Sequence, residues 1–367
     1  MTHNIYEQLA FHLSTLGMGY PFKDGLVEIL KENFTPEEAQ VALLLPTKVA
    51  PLQVVSAEEI APESGITLDK LRDVLDSLTE RGLLFSGKTK SGEKGYALQQ
   101  VGFGFPQTFF WKGEDTPAAR RMTELLGRYF KREVTEEAYG SSATKPYRYV
   151  PAKNTIEPSL QAVYPYHTME SVINQTRVFA VTHCPCRVVM KLRDRGCNHP
   201  LEVCLKFDDL AEYVIERGLA RQITREEALD IIKKSEEAGL VHFVDNALGN
   251  IKHCCNCCGC ACWNVGSIRR RKIPRDVLMA TFFLRDTDRE KCTACGDCVK
   301  VCPVNAVVLG DDFPEVDEEW CIGCGICVAG CPSGAARLKM RPDREGQAPL
   351  PTFEELFEKV LREKGLK

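Results

Sequence analysis

The 367-residue chain is predicted to be an α+β protein in which a helical N-terminal module, a cysteine-rich middle domain and a C-terminal domain with a repeated cysteine motif follow one another. Three observations predict this. Apolar residues recur at helical spacing through the first 100 residues. A strand–turn–strand pattern closes that part of the chain. All eighteen cysteines lie after residue 183, in short runs that favour metal ligation over a disulfide scaffold.

The composition is that of an ordinary globular protein, with 44% hydrophobic and 27% charged residues. A net charge of −4 gives no general argument for nucleic-acid binding. The N-terminus lacks the basic and apolar segments of a signal peptide, and no apolar run is long enough for a membrane span. We therefore expect a cytoplasmic protein, from an anaerobe or a low-oxygen compartment.

Changes in composition predict five segments. They are residues 1–100, a helical plus winged-helix-like domain; 101–175, an aromatic and helical connector; 176–285, the cysteine-rich domain; 286–341, the repeated-motif domain; and 342–367, a linker with a C-terminal docking helix. The connector includes a proline-rich stretch at 145–167 in which we expect little regular structure.

Residues 56–100 have the pattern of a winged helix-turn-helix. A short helix is predicted to end at Gly65, Thr67 then caps an amphipathic helix, and two strands joined by a Gly/Ser/Lys turn form the wing. A DNA-binding surface should be basic, yet residues 54–100 carry eight acids against six bases. A protein-docking or structural module is therefore favoured, and DNA is an unfavoured partner.

The C-terminal domain carries the pattern C-x-x-C-x-x-C-x-x-x-C-P twice, in CTACGDCVKVCP and CIGCGICVAGCP. Thiolates in this order suit [4Fe–4S] clusters, with the fourth cysteine of each run binding the other cluster. The alternative, a pair of zinc ribbons, fits the duplicated order poorly. The predicted ligands are Cys292, Cys295, Cys298 and Cys331 for cluster 1, and Cys321, Cys324, Cys327 and Cys302 for cluster 2.

From about Asp288 to Arg341 the chain resembles the bacterial two-cluster ferredoxins at every ligand position. The resemblance implies two antiparallel hairpins, two short helices and one-electron transfer. Glycines at 296, 323 and 325 are expected to let the backbone come close to the clusters. Residues 286–340 carry ten acids against five bases, so we expect a redox partner with a basic docking face.

A second group of cysteines lies upstream. The spacing predicts a third metal cluster, [4Fe–4S] in preference to zinc, held by Cys184, Cys186, Cys197 and Cys204. Arg187 is a candidate hydrogen-bond donor to the cluster. His183 and His199 lie in the same stretch and are expected to be surface or outer-sphere groups rather than ligands.

Six more cysteines follow within nine residues: Cys254, Cys255, Cys257, Cys258, Cys260 and Cys262. Adjacent cysteines point in different directions, so one metal is not expected to bind all six. Three explanations remain open. Some of the six complete the cluster begun at Cys184, four hold a further cluster, or some are free thiols with a redox role.

The order of HCPCR, two later cysteines, CCNCCGCAC and a terminal dicluster segment resembles a group of anaerobic-bacterial 4Fe–4S binding proteins whose N-terminal segment is winged-helix-like. This chain departs from the group at CACW, where the group has a denser cysteine triplet, so the resemblance leaves the ligands of this run open.

No dinucleotide-binding loop, P-loop or nucleophile elbow is present, so no catalytic residue is assigned. We expect an electron-transfer protein with two ferredoxin-type [4Fe–4S] clusters and one or two more, working with a low-potential oxidoreductase. The alternatives are a redox-sensing winged-helix transcription regulator and a subunit of an anaerobic oxidoreductase complex.

Overall fold

The computed structural model describes residues 4–367 and has mixed helix and sheet structure. Its N-terminal part contains five helices and three strands. They are α1 (Ile5–Ser14), α2 (Asp24–Asn33), α3 (Pro36–Ala42), β1 (Val55–Ser56), α4 (Ala57–Ser64), α5 (Leu68–Glu80), β2 (Leu84–Lys88) and β3 (Lys94–Leu98). Thr35, with Pro36 after it, caps α3 as the sequence predicts.

Residues 55–98 follow the predicted order of helix, helix and hairpin. Gly65 ends α4 in the left-handed conformation at φ +68°, and the Thr67 side chain caps α5. The three strands form an antiparallel sheet in the order β1–β3–β2. The winged-helix assignment itself stays a prediction.

The middle of the chain is built on a six-stranded antiparallel sheet of order β4–β8–β10–β6–β5–β7. Its elements are α6 (Pro117–Tyr129), α7 (Arg132–Gly140), β4 (Tyr147–Val150), α8 (Pro158–Val163), α9 (Met169–Asn174), β5 (Phe179–His183), α10 (Pro185–Lys191), β6 (Glu202–Phe207), α11 (Asp208–Glu216), β7 (Arg221–Ile223), α12 (Arg225–Glu237), β8 (Val241–Asp245), β9 (Ala247–Gly249), β10 (His253–Cys257), α13 (Val265–Arg271) and α14 (Arg275–Leu278). Strand β9 lies outside this sheet.

The connector expected at 101–175 is not a spacer. Its proline-rich stretch supplies β4, whose four residues are all buried at one edge of the sheet. The prolines that suggested irregular structure flank this strand rather than interrupt it, because Pro146 precedes it and Pro151 follows it. The aromatic stretch before it contributes Phe103, Phe110 and Trp111 to the core.

The C-terminal part contains two antiparallel strand pairs, β11–β14 and β12–β13, and two short helices, as the ferredoxin resemblance implies. Its elements are β11 (Phe283–Thr287), α15 (Asp297–Lys300), β12 (Val307–Leu309), β13 (Pro314–Val316), α16 (Ile326–Ala329), β14 (Ala336–Met340), β15 (Leu350–Thr352) and α17 (Phe353–Glu363).

Helix α17 ties the two ends of the chain together. Strand β15 before it pairs with β9 in parallel, and Thr352 caps the helix. The rings of Phe353 and Phe357 lie 5.5 and 5.8 Å from the ring of Phe103. One continuous cluster of buried side chains therefore runs from α1 through the sheet and the ferredoxin-like part to α17.

Among residues 4–367, the structure contains no helix with the length and apolar character that crossing a membrane requires.

Because Phe357 is fully buried in this shared core, Phe357→Ala is expected to lower the free energy of unfolding by about 3–5 kcal/mol. Phe11→Ala removes the same side chain from a position that is 66% exposed and is the matched control. Urea unfolding under anaerobic conditions measures both. Equal effects for the two variants would contradict the docking of α17 on the core.

Candidate metal centres

The eight C-terminal cysteines form the two ligand sets predicted from the sequence, named here site I (Cys292, Cys295, Cys298 and Cys331) and site II (Cys302, Cys321, Cys324 and Cys327). The four cysteines of site II line one cavity. Backbone N–H groups point at sulfurs of both sites. Ala306 donates to Cys302 Sγ at 3.2 Å, Arg285 to Cys321 Sγ at 3.4 Å, and Ala336 to Cys331 Sγ at 3.4 Å. Such bonds stabilise thiolates and tune the potential of a bound cluster, so these residues suit the predicted cofactor.

Two glycines around site II, Gly323 and Gly325, are required by close contacts with other segments of the chain as well as by the cluster. A Cβ at Gly323 would clash with the carbonyl oxygen of Phe283, and one at Gly325 with the side chain of Thr155. Both glycines also have positive φ, at +62° and +76°. The loop of Cys321 and Cys324 is thus pressed against β11 and against the segment that follows β4.

The two sites differ in burial. Cys302, Cys321 and Cys324 of site II are buried, whereas Cys295 of site I is exposed. Burial raises the pKa of Cys324 well above its ordinary value and that of Cys327 to about 12. Metal binding rather than solvent must therefore ionise these thiols.

The cysteines upstream of the ferredoxin-like part lie on both faces of the six-stranded sheet. In the β6–β10 pairing His253 lies opposite Lys206, and Cys254 lies opposite Leu205. Because side chains alternate along a strand, Cys255 and Cys257 share one face with Cys204, Lys206 and His253. Cys254 points to the other face, into an apolar core, with its sulfur 4.0 Å from that of Met169.

Six cysteines line one interior cavity, named here the inner cysteine site: Cys184, Cys186, Cys204, Cys255, Cys257 and Cys262. Cys184 and Cys186 come from the start of α10, and Cys262 follows β10. The sulfurs of Cys262 and Cys257 are 3.2 Å apart. The residues meet because β5 and β10 flank β6 and both run antiparallel to it.

The surroundings lower the pKa of three of these six thiols, those of Cys184, Cys204 and Cys262. A hydrogen bond from Cys255, with the charges of Lys206 and His253, lowers the pKa of Cys204 against the effect of burial. A hydrogen bond from Cys186 and the charge of Arg187 do the same for Cys184.

At Cys262, burial would raise the pKa, but hydrogen bonds from the thiols of Cys186 and Cys257 and from the backbone N–H of Asn264 lower it. These surroundings favour the thiolate forms of Cys184, Cys204 and Cys262, the forms that bind metals.

Two buried cations face this site, and their interactions suit an anionic occupant. The Lys206 side chain is only 1% exposed, and its Nζ lies 4.6 Å from the centre of the Trp111 ring. Arg187 is equally buried and donates a hydrogen bond to the Asn256 carbonyl oxygen at 3.1 Å. Burial would lower the pKa of Arg187, yet the charges of Cys184, Cys257 and Cys258 raise it above the ordinary value. Among residues 4–367 neither cation has a carboxylate ion-pair partner, which fits an anionic [Fe–S]–thiolate cluster.

A separate group, named here the surface quartet, consists of Cys197, His199, Cys258 and Cys260. Their ligand atoms all lie within 4.8 Å of one another, and the sulfurs of Cys197 and Cys258 are 3.9 Å apart. Burial, followed by the charge of Arg187, lowers the pKa of His199 and favours the neutral ring that binds metals.

The structure therefore does not bring the four cysteines predicted for cluster 3 together. Cys184, Cys186 and Cys204 line the inner cysteine site, but Cys197 lies in the surface quartet with two cysteines of the later run. His199, expected to be a surface or outer-sphere group, is positioned beside them. The spacing of the cysteines along the sequence could not reveal this grouping, because Cys197 lies in the loop 192–201 that connects α10 to β6.

Sequence reasoning also missed Lys206 and His253. Lys206 lies two residues after Cys204 on β6, and His253 lies two residues before Cys255 on β10. Because side chains alternate along a strand, this spacing predicts that both residues lie on the same face as those cysteines. Arg187 was expected beside a cluster, and its guanidinium donates to the carbonyl oxygen of Asn256, a residue that lines the inner cysteine site.

The inner cysteine site lies close to site II. The backbone N–H of Ala152 donates to the Cys324 carbonyl oxygen at 3.0 Å. Gly259, two residues after Cys257, packs so closely on Pro303, beside Cys302, that a Cβ there would clash with the Pro303 carbonyl oxygen. Burial raises the pKa of Tyr149, and the charges of Cys262, Cys257 and Cys324 add to the effect. Arg275 donates to the carbonyl oxygen of Cys321.

The winged-helix-like segment offers little for a polyanion. Lys94 of the hairpin is 2.5 Å from Asp76 of α5, and Lys70 of α5 is 3.2 Å from Glu37. Asp69 and Asp73 remain on the exposed side of α5. These contacts favour a structural or protein-docking role.

Replacing a ligand of site II is expected to remove one cluster. Cys324→Ala should lower the iron content by about four atoms per chain, since a cube needs four thiolates. Cys254→Ala is the control, because its sulfur lies outside site I, site II, the inner cysteine site and the surface quartet. Iron and acid-labile sulfide analysis measures both variants, and an unchanged iron content in Cys324→Ala would contradict site II.

Comparison with known proteins bears on the C-terminal part of the chain. Residues 291–335 match the family model of the 4Fe-4S dicluster domain. A stretch of 39 residues is 46% identical to one subunit of the ion-translocating oxidoreductase complex of Methanosarcina acetivorans. That match covers 11% of this chain and 15% of the relative. The chain therefore carries a ferredoxin-type 4Fe–4S dicluster segment.

Proposed function

We propose that this protein relays single electrons between a redox partner and a third cluster, bound at the inner cysteine site, by way of the two clusters of its ferredoxin-like part. Such clusters supply one-electron chemistry when bound. The observation that carries the proposal is the close packing of Gly259, two residues after Cys257 of the inner cysteine site, against Pro303, the residue after Cys302 of site II.

The different burial of the three sites supports an order for the relay, with site I nearest to the partner. The inner cysteine site is enclosed by the large sheet, site II is mostly buried, and site I reaches the surface at Cys295. Electron transfer between proteins needs a cluster near the surface, whereas a buried cluster needs a neighbour. We therefore propose that the partner docks beside site I.

The chain has more thiols at the inner cysteine site than one cube can bind. A [4Fe–4S] cluster binds four thiolates, so two of the six cysteines are not ligands at any one time. These two remain as hydrogen-bond donors, or as ligands in another state of the cluster. Cys184, Cys204 and Cys262 are proposed as ligands first, since their surroundings already favour the thiolate. The fourth ligand comes from Cys186, Cys255 or Cys257.

The docking face is proposed to be the acidic hairpin, residues 307–316. Val308 and Leu309 are 53% and 56% exposed there, and Asp311, Asp312 and Glu315 surround them. Within residues 4–367 these three acids have no ion-pair partner. An apolar centre with an acidic rim suits a partner whose docking face is basic.

The matched relative is named as a subunit of an oxidoreductase complex, and we propose a similar role here. The chain would then bind one or more further subunits, with α17 part of its own core rather than their docking element. The five segments predicted from the sequence are proposed as structural units that share one core.

The proposal is tested by metal content. Anaerobically purified protein is expected to contain about 12 irons per chain, and Cys204→Ala about 8. Cys254→Ala should keep the full content. About 8 irons in the unaltered protein would contradict a cluster at the inner cysteine site, and EPR of the dithionite-reduced protein would then show only the interacting pair of the ferredoxin-like part.

The docking face is tested by charge reversal. Reduction of a basic cytochrome c by the dithionite-reduced protein should slow with rising salt. The double variant Asp311→Lys/Asp312→Lys is expected to lower the second-order rate constant about 10-fold at low salt.

The control, Asp69→Lys/Asp73→Lys, makes the same net charge change on α5 and should change the rate constant by less than about 2-fold. Equal effects of the two variants would mean that net charge alone matters, and would contradict docking at the acidic hairpin.

A further inference from the structure

The surface quartet has a geometry that differs from the cluster sites. Within residues 4–367 it is the set of three or more Cys, His, Asp or Glu side chains whose ligand atoms lie within 4.8 Å of one another. The ligands of a cube each bind a different iron, which holds their sulfurs further apart than ligands on one ion. Four donors this close point to a single metal ion.

The distances agree with tetrahedral zinc. With zinc–sulfur bonds of about 2.3 Å, two thiolates on one tetrahedral ion are about 3.8 Å apart. The sulfurs of Cys197 and Cys258 are 3.9 Å apart. The N–H of Ala261 points at Cys258 Sγ at 3.4 Å, a bond that would stabilise a zinc thiolate.

The chemistry of the donors points the same way. Three thiols and one imidazole form the Cys3His set of structural zinc sites, which have four protein ligands and no open position. Two ligands come from the loop 192–201 and two from the segment after β10, so one ion would join two separate parts of the chain.

The quartet also borders the ferredoxin-like part. His199, Cys258 and Cys260 line a groove whose other wall includes Cys302 and Pro303. Gly259, between two of the quartet cysteines, packs so closely that a Cβ would clash with the Pro303 carbonyl oxygen. An ion at the quartet would therefore fix the loop that covers Cys302 of site II.

From these observations we propose that Cys197, His199, Cys258 and Cys260 bind one zinc ion in a closed tetrahedral site, separate from every iron–sulfur cluster of the chain. The ion positions residues 258–260 against site II. This site goes beyond the relay, which requires only the clusters.

Metal analysis of the full-length protein, purified anaerobically from medium with zinc and iron, tests the site. The unaltered protein should hold about one zinc per chain. Cys260→Ala and His199→Ala should each reduce zinc to less than about a tenth of that amount and leave iron and labile sulfide unchanged. Cys254→Ala, and His12→Ala in α1, are matched controls that should keep the zinc.

X-ray absorption at the zinc edge of the unaltered protein gives a measurement that needs no variant. It should show three sulfur ligands at about 2.3 Å and one nitrogen at about 2.0–2.1 Å. Zinc with mainly oxygen ligands, or less than about a tenth of an equivalent of zinc, would overturn the proposal.

A loss of about four irons in Cys260→Ala would also overturn it, because the quartet would then belong to a cube. The relay is judged by a different number, the iron content of the unaltered protein. Failure of the zinc site and failure of the relay are therefore distinguishable.

Discussion

The two-residue period of one strand, β10, organises the metal chemistry of the middle of this protein. Its cysteines are nearly consecutive, yet successive side chains point to opposite faces of the sheet. Cys255 and Cys257 join Cys204 in the interior cavity, while Cys254 enters an apolar core on the other face. A helix through the same residues would have spread the thiols around its axis. The strand sorts them into separate environments.

Buried cations then decide which of these environments suits an anion. Lys206 is on the same face of the sheet as Cys204, and Arg187 follows directly after Cys186. Removing a lysine and an arginine from water is costly unless negative charge compensates them. Thiolates, and a cluster bound to them, supply that charge without a carboxylate. The cavity is therefore better matched to an anionic cofactor than to an empty apolar core.

Close backbone contacts join the two halves of the metal chemistry. Gly259 packs on Pro303, Gly325 on Thr155, and Ala152 donates to the carbonyl oxygen of Cys324. Each contact brings a loop of one part against a ligand-bearing loop of the other. The ferredoxin-like part is thus built into the core that also contains α17, rather than attached by a flexible linker. Such packing favours a fixed distance between the sites.

The sequence by itself determined those features that depend only on residues close to one another along the chain. The ferredoxin-type segment follows from eight cysteines in a duplicated order, and the helix starts at Thr35, Thr67 and Thr352 follow from local capping rules. Only the tertiary structure decided how the other ten cysteines are grouped. Cys197 and Cys258 are 61 residues apart, and their meeting depends on where a loop leaves the sheet and on the order of its strands. The edge strand β4 was missed for the same reason: pairing with β8, a long-range interaction, outweighs its local proline-rich surroundings.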